Sequence, residues 1–365
     1  MERRKAARPS SVEDRRQAQV MGARVTHGTS VGEVTDREAW NGFVERAPNT
    51  SIMHRWEWRE IIRNAYGHDS RYMGAFSGPE LVGVLPLVSM AGPFVGRRLV
   101  SMPFGEGGGA VAVDDDVSRA LLEAAREAAV RDKAILDVRT THDLGVDLPV
   151  SRDKVSMVLA LERSAEEQWT KLPAERRNRV KKAKREGLVA AVYGIEALDD
   201  FYAVFARNMR DLGSPVHARR FFEQILLNLG DQTRLVVVRA HGRPVGAAMM
   251  QRHGDTVTAP WVSSLREFFP KCPNQLLYWC AIDYSIADGA TRFDFGRSSN
   301  GTGTLEAKRQ WGATPVQQYW YYHPADAGSS AENASKFGWA MRAWRHLPLP
   351  AANILGPRVR GRISN

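Results

Sequence analysis

Cysteine is scarce in this chain of 365 residues, and the chain contains no long apolar run. Only Cys272 and Cys280 occur, which excludes a disulfide framework, and their spacing is not that of a paired zinc or redox motif. The longest uncharged run, residues 81–96, contains Pro86 and Pro93 and falls short of the roughly 20 apolar residues of a spanning helix. No apolar segment follows the basic N-terminus as in a signal peptide. We therefore expect a protein of the reducing cytoplasm.

Positive charge is in excess, with 51 Lys and Arg against 41 Asp and Glu and a net charge of +10. Such an excess suggests a nucleic-acid partner. However, the excess lies at the two ends, residues 1–24 and 336–365, while residues 25–335 carry equal numbers of basic and acidic side chains. Within this balanced body, residues 171–185 form one strongly basic segment. The distribution therefore indicates a globular body with one basic segment and two basic tails.

A helix followed by a hairpin occurs twice in the chain. Residues Trp58–Leu87 align without gaps with Phe221–Met250 at an offset of 163 positions, and six of the aligned residues are identical. Both segments predict an apolar helix, a glycine stop, a strand, a tight turn and a second strand. Convergence of two such units would give the same pattern, but we favour an internal duplication of an α+β unit.

The chain is therefore predicted to be a mixed α+β protein with two similar halves and two tails. The predicted parts are a disordered basic tail (1–24), a first domain (25–165), a second domain (166–324), and a C-terminal amphipathic helix with a basic tail (325–365).

The second half is predicted to contain a helix over residues 166–187, kinked at Pro173, and to end in a helix capped by Asn274, a strand and a glycine-rich loop. The loop covers residues 296–304 and precedes another helix. Backbone N–H groups at such a place can face a ligand anion or an oxyanion. The loop lacks the nucleotide patterns GxGxxG and GK[ST] and the nucleophile pattern GxSxG. A solvent loop and a binding loop both remain open.

The segment FDFGRSSNGTGTLEAKRQWG (Phe293–Gly312) resembles the C-terminal signature of the FemAB-like transferases, within the GNAT-like N-acyltransferase superfamily. The similarity spans residues 50–360, and its tail resembles the branch that is associated with exosortase/PEP-CTERM systems. Further segments that carry the resemblance are Met209–Pro215, Trp261–Ser264, Pro273–Trp279, Arg176–Arg185 and, in the tail, Trp344–Pro350.

The resemblance implies two tandem GNAT-like domains, each a mixed sheet flanked by helices, and transfer of an acyl or aminoacyl group to an amine. The best-known relatives use aminoacyl-tRNA to extend peptidoglycan-precursor side chains, and others use acyl-CoA. The implied function is an acyltransferase whose acceptor is a small-molecule or lipid-linked precursor of peptidoglycan or exopolysaccharide. The donor, acyl-CoA or aminoacyl-tRNA, is then a substrate, and no further cofactor is implied.

Two other functions remain open. One is an acyl-CoA-dependent GNAT N-acyltransferase with another acceptor, although the pyrophosphate signature [Arg/Gln]-x-x-Gly-x-[Gly/Ala] is not evident. The other is a catalytically degenerate binding protein in exopolysaccharide assembly.

Lys308 and Asp294 are the candidate catalytic residues. Acyl transfer to an amine needs a deprotonated nucleophile and stabilisation of the tetrahedral oxyanion. The resemblance implies that Lys308 stabilises this oxyanion, and the alternative is a solvated lysine on an amphipathic helix. Ala307 replaces the aromatic residue usual before it, which leaves acceptor positioning open. Asp294 either accepts the amine proton or pairs with Arg297, a candidate substrate-binding residue. Ser298 either donates a hydrogen bond to the substrate or caps the following turn.

Basic side chains supply further candidates. Arg176, Arg177 and Arg179 lie on a predicted helix, where they either contact phosphates of tRNA or of a diphosphate-linked sugar, or form a solvated face. The segment 336–347 places apolar residues at helical spacing among basic ones. It either docks on the body or lies on an anionic membrane surface, which would make the protein peripheral to the inner membrane.

Trp56, Trp261 and Tyr278 are candidate walls of a substrate groove, with packing in the core as the alternative for aromatic residues of this kind. The histidines show neither HExxH nor another metal-ligand spacing, so no metal is expected.

Overall fold

The structure, a computed structural model, describes residues 24–26, 28–92, 96–324 and 330–364. Of the predicted disordered tail 1–24, only Arg24 lies within these ranges. The described residues form two mixed sheets, each flanked by helices, which confirms the predicted mixed α+β class.

Two helices of the first half begin at aspartate caps. Asp36 accepts hydrogen bonds from the first N–H groups of α1 (Arg37–Arg46), and Asp114 accepts one from the first turn of α3 (Asp115–Arg131). Its elements are β1 (Arg24–Thr26), β2 (Thr29–Glu33), α1 (Arg37–Arg46), α2 (Trp58–Tyr66), β3 (Ser70–Ser77), β4 (Glu80–Gly92), β5 (Gly96–Val100), β6 (Val111–Ala112), α3 (Asp115–Arg131), β7 (Ile135–Thr140) and β8 (Val150–Ser151).

The second half has longer strands and more helices. Its elements are β9 (Lys154–Ala160), α4 (Ala165–Lys171), α5 (Ala174–Arg185), β10 (Leu188–Tyr193), α6 (Leu198–Leu212), α7 (Arg219–Leu229), β11 (Thr233–Ala240), β12 (Arg243–His253), β13 (Thr256–Ser264), α8 (Pro273–Ala287), β14 (Arg292–Ser299), α9 (Gly303–Arg309), β15 (Thr314–Gln317), β16 (Tyr319–His323), α10 (Ser330–Arg345) and α11 (Leu349–Arg360).

The two sheets exchange strands. The first sheet has the order β1-β2-β3-β4-β5-β7-β16-β8, with β6 beside β4, and the second has the order β10-β11-β12-β13-β14-β9-β15. Thus β9 crosses into the second sheet, antiparallel to β14, and β16 returns to the first sheet, antiparallel to β7. The predicted boundary between residues 165 and 166 therefore does not separate the sheets. The reason is that a strand pairs with whichever edge the tertiary fold presents, which no local pattern records.

The order of elements repeats, in agreement with an internal duplication. Apart from the two-residue strand β6, the first half runs β2-α1-α2-β3-β4-β5-α3-β7, and the second runs β10-α6-α7-β11-β12-β13-α8-β14. The equivalent helices α2 and α7 pack against each other, and the rings of Trp58 and Phe221 lie 6.2 Å apart. These two residues are also equivalent at the 163-residue offset. Contact between equivalent residues is what a pseudo-twofold axis produces.

Proline divides one predicted helix. The single helix expected over residues 166–187 is two helices, α4 and α5, because Leu172 and Pro173 have extended backbone conformations. Pro173 has no N–H with which to continue the hydrogen bonds of α4, so it ends that helix rather than bending it.

The predicted ends of α8 and β14 also change. Pro273 is the first residue of α8, and Asn274 does not cap it, since its Oδ1 accepts a hydrogen bond from Ser264 Oγ at 2.6 Å. Strand β14 continues to Ser299 because its last residues still pair with β9, so the glycine-rich loop is shorter than residues 296–304.

One apolar core is shared by both halves. It contains Trp58 and Val100 from the first half and Phe221, Met249 and Trp261 from the second, all of them buried. Burial of apolar area is the main stabilising term in folding. The shared core therefore holds the two sheets, and the residues at their junction, in one arrangement.

Candidate active site

The site lies where two parallel strands separate. Strands β13 and β14 pair over a short stretch, in which Thr256–Thr258 of β13 lie beside Arg292–Asp294 of β14. At Gly296 the chain has a φ of +75°, a region that favours glycine, and β14 shifts its register against β9. A Cβ atom at Gly296 would lie 3.2 Å from the carbonyl oxygen of Ala259. The glycine therefore permits both the bulge and the close approach of β13, after which the strands diverge.

Asp294 stands at this point of separation. Its half-buried carboxylate accepts a hydrogen bond from Gly296 N at 2.8 Å. Burial, together with the negative charge of Glu106, raises its pKa to about 7, although the Gly296 N–H, Lys308 and the Ser156 hydroxyl act in the opposite direction. A carboxyl group with a pKa near the working pH can take up and release a proton.

The predicted alternative for Asp294, an ion pair with Arg297, is not formed. Arg297 instead places its Nε 3.2 Å from Glu106. Asp294 is therefore left without a guanidinium partner in the described part of the chain.

Lys308 meets the same glycine from α9. Its Nζ donates hydrogen bonds to the carbonyl oxygens of Gly296 at 2.8 Å and Arg297 at 2.9 Å. An ammonium group has three donors, so one N–H remains for another acceptor. Burial lowers the pKa of Lys308 to about 8, which leaves the group mostly cationic at neutral pH. The two predicted catalytic residues are thus brought together, with Asp294 on the N–H and Lys308 on the C=O of Gly296.

Glu106, which sequence reasoning missed, completes the site from the first half. It lies in the glycine-rich loop after β5, and besides Arg297 it accepts a hydrogen bond from Gln318 Nε2 at 3.0 Å. Gln318 also donates to Ser156 Oγ at 2.9 Å. The return of β16 to the first sheet is what places Gln318 between the halves. Since that pairing is non-local, no motif around Glu106 could have indicated its role.

Two arginines that stack on one aromatic ring place positive charge beside the site. The guanidinium carbons of Arg297 and Arg139 lie 5.0 and 4.4 Å from the centre of the Trp320 ring. Arg139 is fully buried and makes a two-point ion pair with Asp137. Cation–π stacking orients such groups in addition to their ion pairs. The predicted binding residue Arg297 is thus positioned by Glu106 and Trp320.

Ser298 is buried, and its hydroxyl has no hydrogen-bond partner within the described residues. The predicted capping of the following turn is not formed, since the Thr302 hydroxyl is the group that bonds back to the carbonyl of Ser299. Binding to substrate, the other predicted role of Ser298, stays a prediction.

The three arginines predicted to contact phosphate do not share an exposed face. Arg176 is buried, and Arg177 donates to the carbonyl oxygens of Thr170 and Leu172 at 2.7 and 3.0 Å, where it closes the end of α4. Only Arg179 is exposed, and it pairs with Glu175 at 2.7 Å. Arg177 therefore helps to hold α4 and α5 together, whereas Arg176 is buried beside Glu175 of its own helix, at 3.0 Å.

The three aromatic residues predicted to line a substrate groove pack in the apolar cores, which was the alternative prediction for them. Trp56 stacks edge-on to Tyr72 in the first half, at 5.0 Å between ring centres. Trp261 contacts Phe221 and its neighbour in the shared core. Tyr278 lies 5.0 Å from the Phe295 ring, and burial raises its pKa to about 12. These ring contacts are with other aromatic side chains and include neither Lys308 nor Asp294.

Two general features complete the description. Within the described ranges, no three His, Cys, Asp or Glu side chains are grouped as a metal site would require. None of the helices in the described part of the chain is both long and apolar enough to cross a bilayer.

Residues 174–309 match the acetyltransferase (GNAT) domain family, so the chain contains a GNAT-like acetyltransferase domain. No curated protein matches its sequence. FemX has a similar structure, with a TM-score of 0.62 and 16% identity over 80% of this chain and 96% of FemX.

Two further solved structures are similar. The C-terminal domain of a putative lysylphosphatidylglycerol synthetase from Agrobacterium fabrum has a TM-score of 0.56 and 14% identity, over 82% of this chain and 96% of that one. A tandem GNAT protein from the clavulanic acid biosynthesis pathway has a TM-score of 0.51 and 13% identity, over 80% and 97%. The fold is therefore that of a tandem GNAT-like protein, as the sequence resemblance implied.

Proposed function

We propose that this protein is a FemAB-like N-acyltransferase that moves an acyl or aminoacyl group to an amine of a cell-envelope precursor, from peptidoglycan or exopolysaccharide synthesis. One observation carries the proposal: Asp294 and Lys308, both with shifted pKa values, meet at Gly296, where the pairing of β13 with β14 ends. The GNAT-like domain and the FemX-like fold support the reaction class. The PEP-CTERM-associated branch rests only on the resemblance of residues 344–350.

Asp294 acts on the acceptor amine. Above its pKa of about 7 the carboxylate can accept the proton that the amine loses as its nitrogen bonds to the acyl carbon. At lower pH the carboxyl is neutral and cannot take this role. Because Arg297 is paired with Glu106, no guanidinium in the described part of the chain competes for Asp294.

Lys308 acts on the acyl oxygen. In the tetrahedral intermediate this oxygen carries negative charge, and the third N–H of Lys308 can donate to it while the other two hold the carbonyls of Gly296 and Arg297. When the intermediate collapses, the carbon–sulfur or carbon–oxygen bond to the donor breaks. The proton held by Asp294 is then available for the leaving thiolate or alkoxide.

The donor binds, in this proposal, in the opening between β13 and β14. The ladder between these strands ends at Asp294, so an extended donor arm that contains amide groups can pair with their backbone edges. Both an acyl-CoA and an aminoacyl-tRNA deliver an activated acyl group at the end of such an arm or strand. The acyl or aminoacyl nature of the donor stays open at this level.

A second candidate, an acyl-CoA-dependent N-acyltransferase with another acceptor, is favoured by a specific observation. Arg176 and Arg177 were expected to contact tRNA phosphates, but Arg176 is buried and Arg177 bonds to the backbone at the end of α4. A small thioester donor needs no such basic face. A binding protein without activity is disfavoured, because the burial of Asp294 and Lys308 shifts both pKa values toward neutrality.

The experiment is a screen of the purified chain against acyl-CoAs, charged tRNAs and UDP-linked envelope precursors, read by thermal shift and by mass spectrometry of the acceptor. We expect one donor to stabilise the protein and one acceptor to gain the acyl mass. Lys308→Ala should lose this product while Lys171→Ala, a change of an exposed lysine on α4, keeps it.

Two results would decide against the proposal. Product formation by Lys308→Ala at the wild-type rate removes the catalytic assignment. Stabilisation by CoA thioesters alone, with an acceptor unrelated to the cell envelope, replaces the first candidate by the second.

A further inference from the structure

We propose that helices α10 and α11 form a surface that binds anionic lipid membranes. The surface comprises the outward side chains of residues 338–362 and is called the C-terminal face below. It goes beyond the proposed function, because lipid binding by this face requires no acyl transfer.

Helix α11 buries its small side chains against the body. Ala352 is buried, and Gly356 is so close to the segment before α7 that a Cβ atom would lie 2.9 Å from Val216 Cγ1. One turn later Arg360 donates to His217 Nε2 at 3.0 Å. Residues 352, 356 and 360 are spaced by four, so they form the inward stripe of one helix.

The large apolar side chains of α11 point the other way. Ile354, Leu355 and Val359 are 60%, 44% and 39% exposed, and the exposed Arg358 and Arg362 lie among them. Soluble proteins bury most aliphatic side chains of this size, and exposed apolar side chains that lie together mark interaction sites. A helix with aliphatic and basic residues on its free side has the pattern of helices that lie in a membrane interface.

Helix α10 repeats this arrangement. It packs on α6, where Arg345 donates to the carbonyl oxygen of Leu212 at 3.3 Å. Trp339 is 69% exposed, and Arg342, three positions later on the same side of the helix, is also exposed. Met341 lies one turn before Arg345, on the side of the helix that meets the body. Tryptophan is favoured at membrane interfaces because its ring is apolar and its N–H is polar. Docking on the body and contact with a membrane, which the sequence offered as alternatives, thus use opposite sides of the same helices.

Charge selects an anionic lipid surface as the occupant. Arg342, Arg358 and Arg362 are exposed on the C-terminal face, and residues 338–364 contain no acidic residue. Each basic side chain near an anionic bilayer contributes attraction, whereas a second copy of this face would bring like charges together. The charge therefore favours a lipid surface over self-association.

The chain that follows the C-terminal face reaches the neighbourhood of the candidate site. The chain leaves α11 at Arg360 and enters the junction of the two halves, where the carbonyl oxygen of Ser364 accepts a hydrogen bond from Arg139 Nη1 at 2.8 Å. Arg139 and Arg297 stack on the same Trp320 ring. If the proposed function holds, this adjacency places a lipid-linked acceptor near the site when the face is on the membrane.

The test is co-sedimentation of the full chain with vesicles of phosphatidylglycerol and phosphatidylcholine in equal parts, and with vesicles of phosphatidylcholine alone. We expect binding to the anionic vesicles that weakens as salt is raised. Ile354→Ser combined with Leu355→Ser should lower the partition coefficient about tenfold, since each change removes aliphatic area from the interface. Arg358→Gln should lower it about fivefold.

The matched control combines Val189→Ser and Leu227→Ser, two exposed aliphatic side chains outside the C-terminal face, 67% and 60% exposed. This control should bind as the wild type does. Absence of binding to anionic vesicles overturns the proposal, as does equal loss in the control. Binding that the Ile354/Leu355 variant retains in full also overturns it, because it would then come from another basic segment such as residues 1–23. A dimer that light scattering detects and that this variant dissociates would show that a second copy is the occupant instead.

Discussion

The two halves place a carboxylate at the same point of their sheets but surround it differently. Asp137 is the last residue of β7 that pairs with β5, and Asp294 is the last residue of β14 that pairs with β13. Two positions further on, the first half has Arg139, which forms a buried two-point ion pair with Asp137, and the second half has Gly296. The comparison shows that this position of the repeated unit is ion-paired where a cation follows it, and that it has no guanidinium partner among the described residues where glycine follows it.

Two histidines extend the comparison. His54 and His217 lie 163 positions apart, at the offset of the repeat, and both are buried before equivalent helices. His54 bonds to the backbone of Ser51 and Gly109, whereas His217 bonds to the side chains of Tyr66 and Arg360. Burial lowers the pKa of both histidines. Here the two halves keep the same property with different partners.

The largest expected effect tests the reactive carboxylate. Asp294→Asn removes the proton acceptor, so we expect kcat to fall about 10²- to 10⁴-fold with the donor and acceptor found by the screen. Burial raises the pKa of Asp294 to about 7. The ionised carboxylate therefore lowers the stability of the folded state once the pH exceeds the pKa that this group has in the unfolded chain. The variant should therefore be more stable at pH 8, by about 1–2 kcal/mol for a half-buried group.

Initial rates and urea unfolding at pH 8 measure these two effects. An active Asp294→Asn variant would end the assignment of Asp294 as the base. A loss of activity that accompanies a loss of stability would show that the residue is structural, like Asp137.

The equivalent change in the first half should act on stability instead. Asp137→Asn leaves the buried guanidinium of Arg139 without its carboxylate, and we expect the free energy of unfolding to fall by about 3–5 kcal/mol. Urea unfolding measures the loss, and the double change Asp137→Asn with Arg139→Leu should recover part of it. If Asp137→Asn is as stable as the wild type, the proposed division between a structural and a reactive carboxylate is wrong.

The buried histidines predict acid sensitivity. Burial lowers the pKa of His54 from 6.5 to about 4, so the unfolded chain binds a proton that the folded chain excludes in this window. Stability should therefore be unaffected above pH 6.5 and fall by about 3 kcal/mol on this account as the pH drops to 4. In His54→Gln, unfolding at several pH values should show a flatter decline, and an unchanged decline would assign the effect to other groups.

The smallest expected effect concerns the pH profile. Activity needs Asp294 ionised and Lys308 protonated, so kcat/KM should be bell-shaped with limbs near pH 7 and pH 8. In Lys308→Arg the guanidinium stays charged, and we expect the alkaline limb to disappear while the rate falls about tenfold. Lys154→Arg is the matched control, because the Nζ of Lys154 donates a hydrogen bond to Ser299 on β14, the strand that carries Asp294. Loss of the limb in that control would make Lys154 the titrating acid.

Much of the secondary structure and one strand of the site were predictable from the sequence. Apolar spacing and turn residues predicted the two helix–hairpin units, and the resemblance of Phe293–Gly312 implied the role of Lys308. What escaped was non-local. The partner of Arg297 is Glu106, nearly two hundred positions away in the sequence, and Arg177 of α5 bonds to the end of α4. Spacing along one helix cannot show which of its side chains meet the body.

By itself the sequence determined the mixed α+β class, the repeated unit, the scarcity of cysteine and the place of positive charge, because these follow from local periodicity and composition. Only the tertiary structure decided that β9 and β16 cross between the sheets, that Asp294 has no guanidinium partner among the described residues, and that α11 turns its large apolar side chains outward. The physical reason is that hydrogen bonding between strands, desolvation of a carboxyl group and exposure of a helix face all depend on which distant segments meet. Such meetings leave no trace in the local pattern of residues.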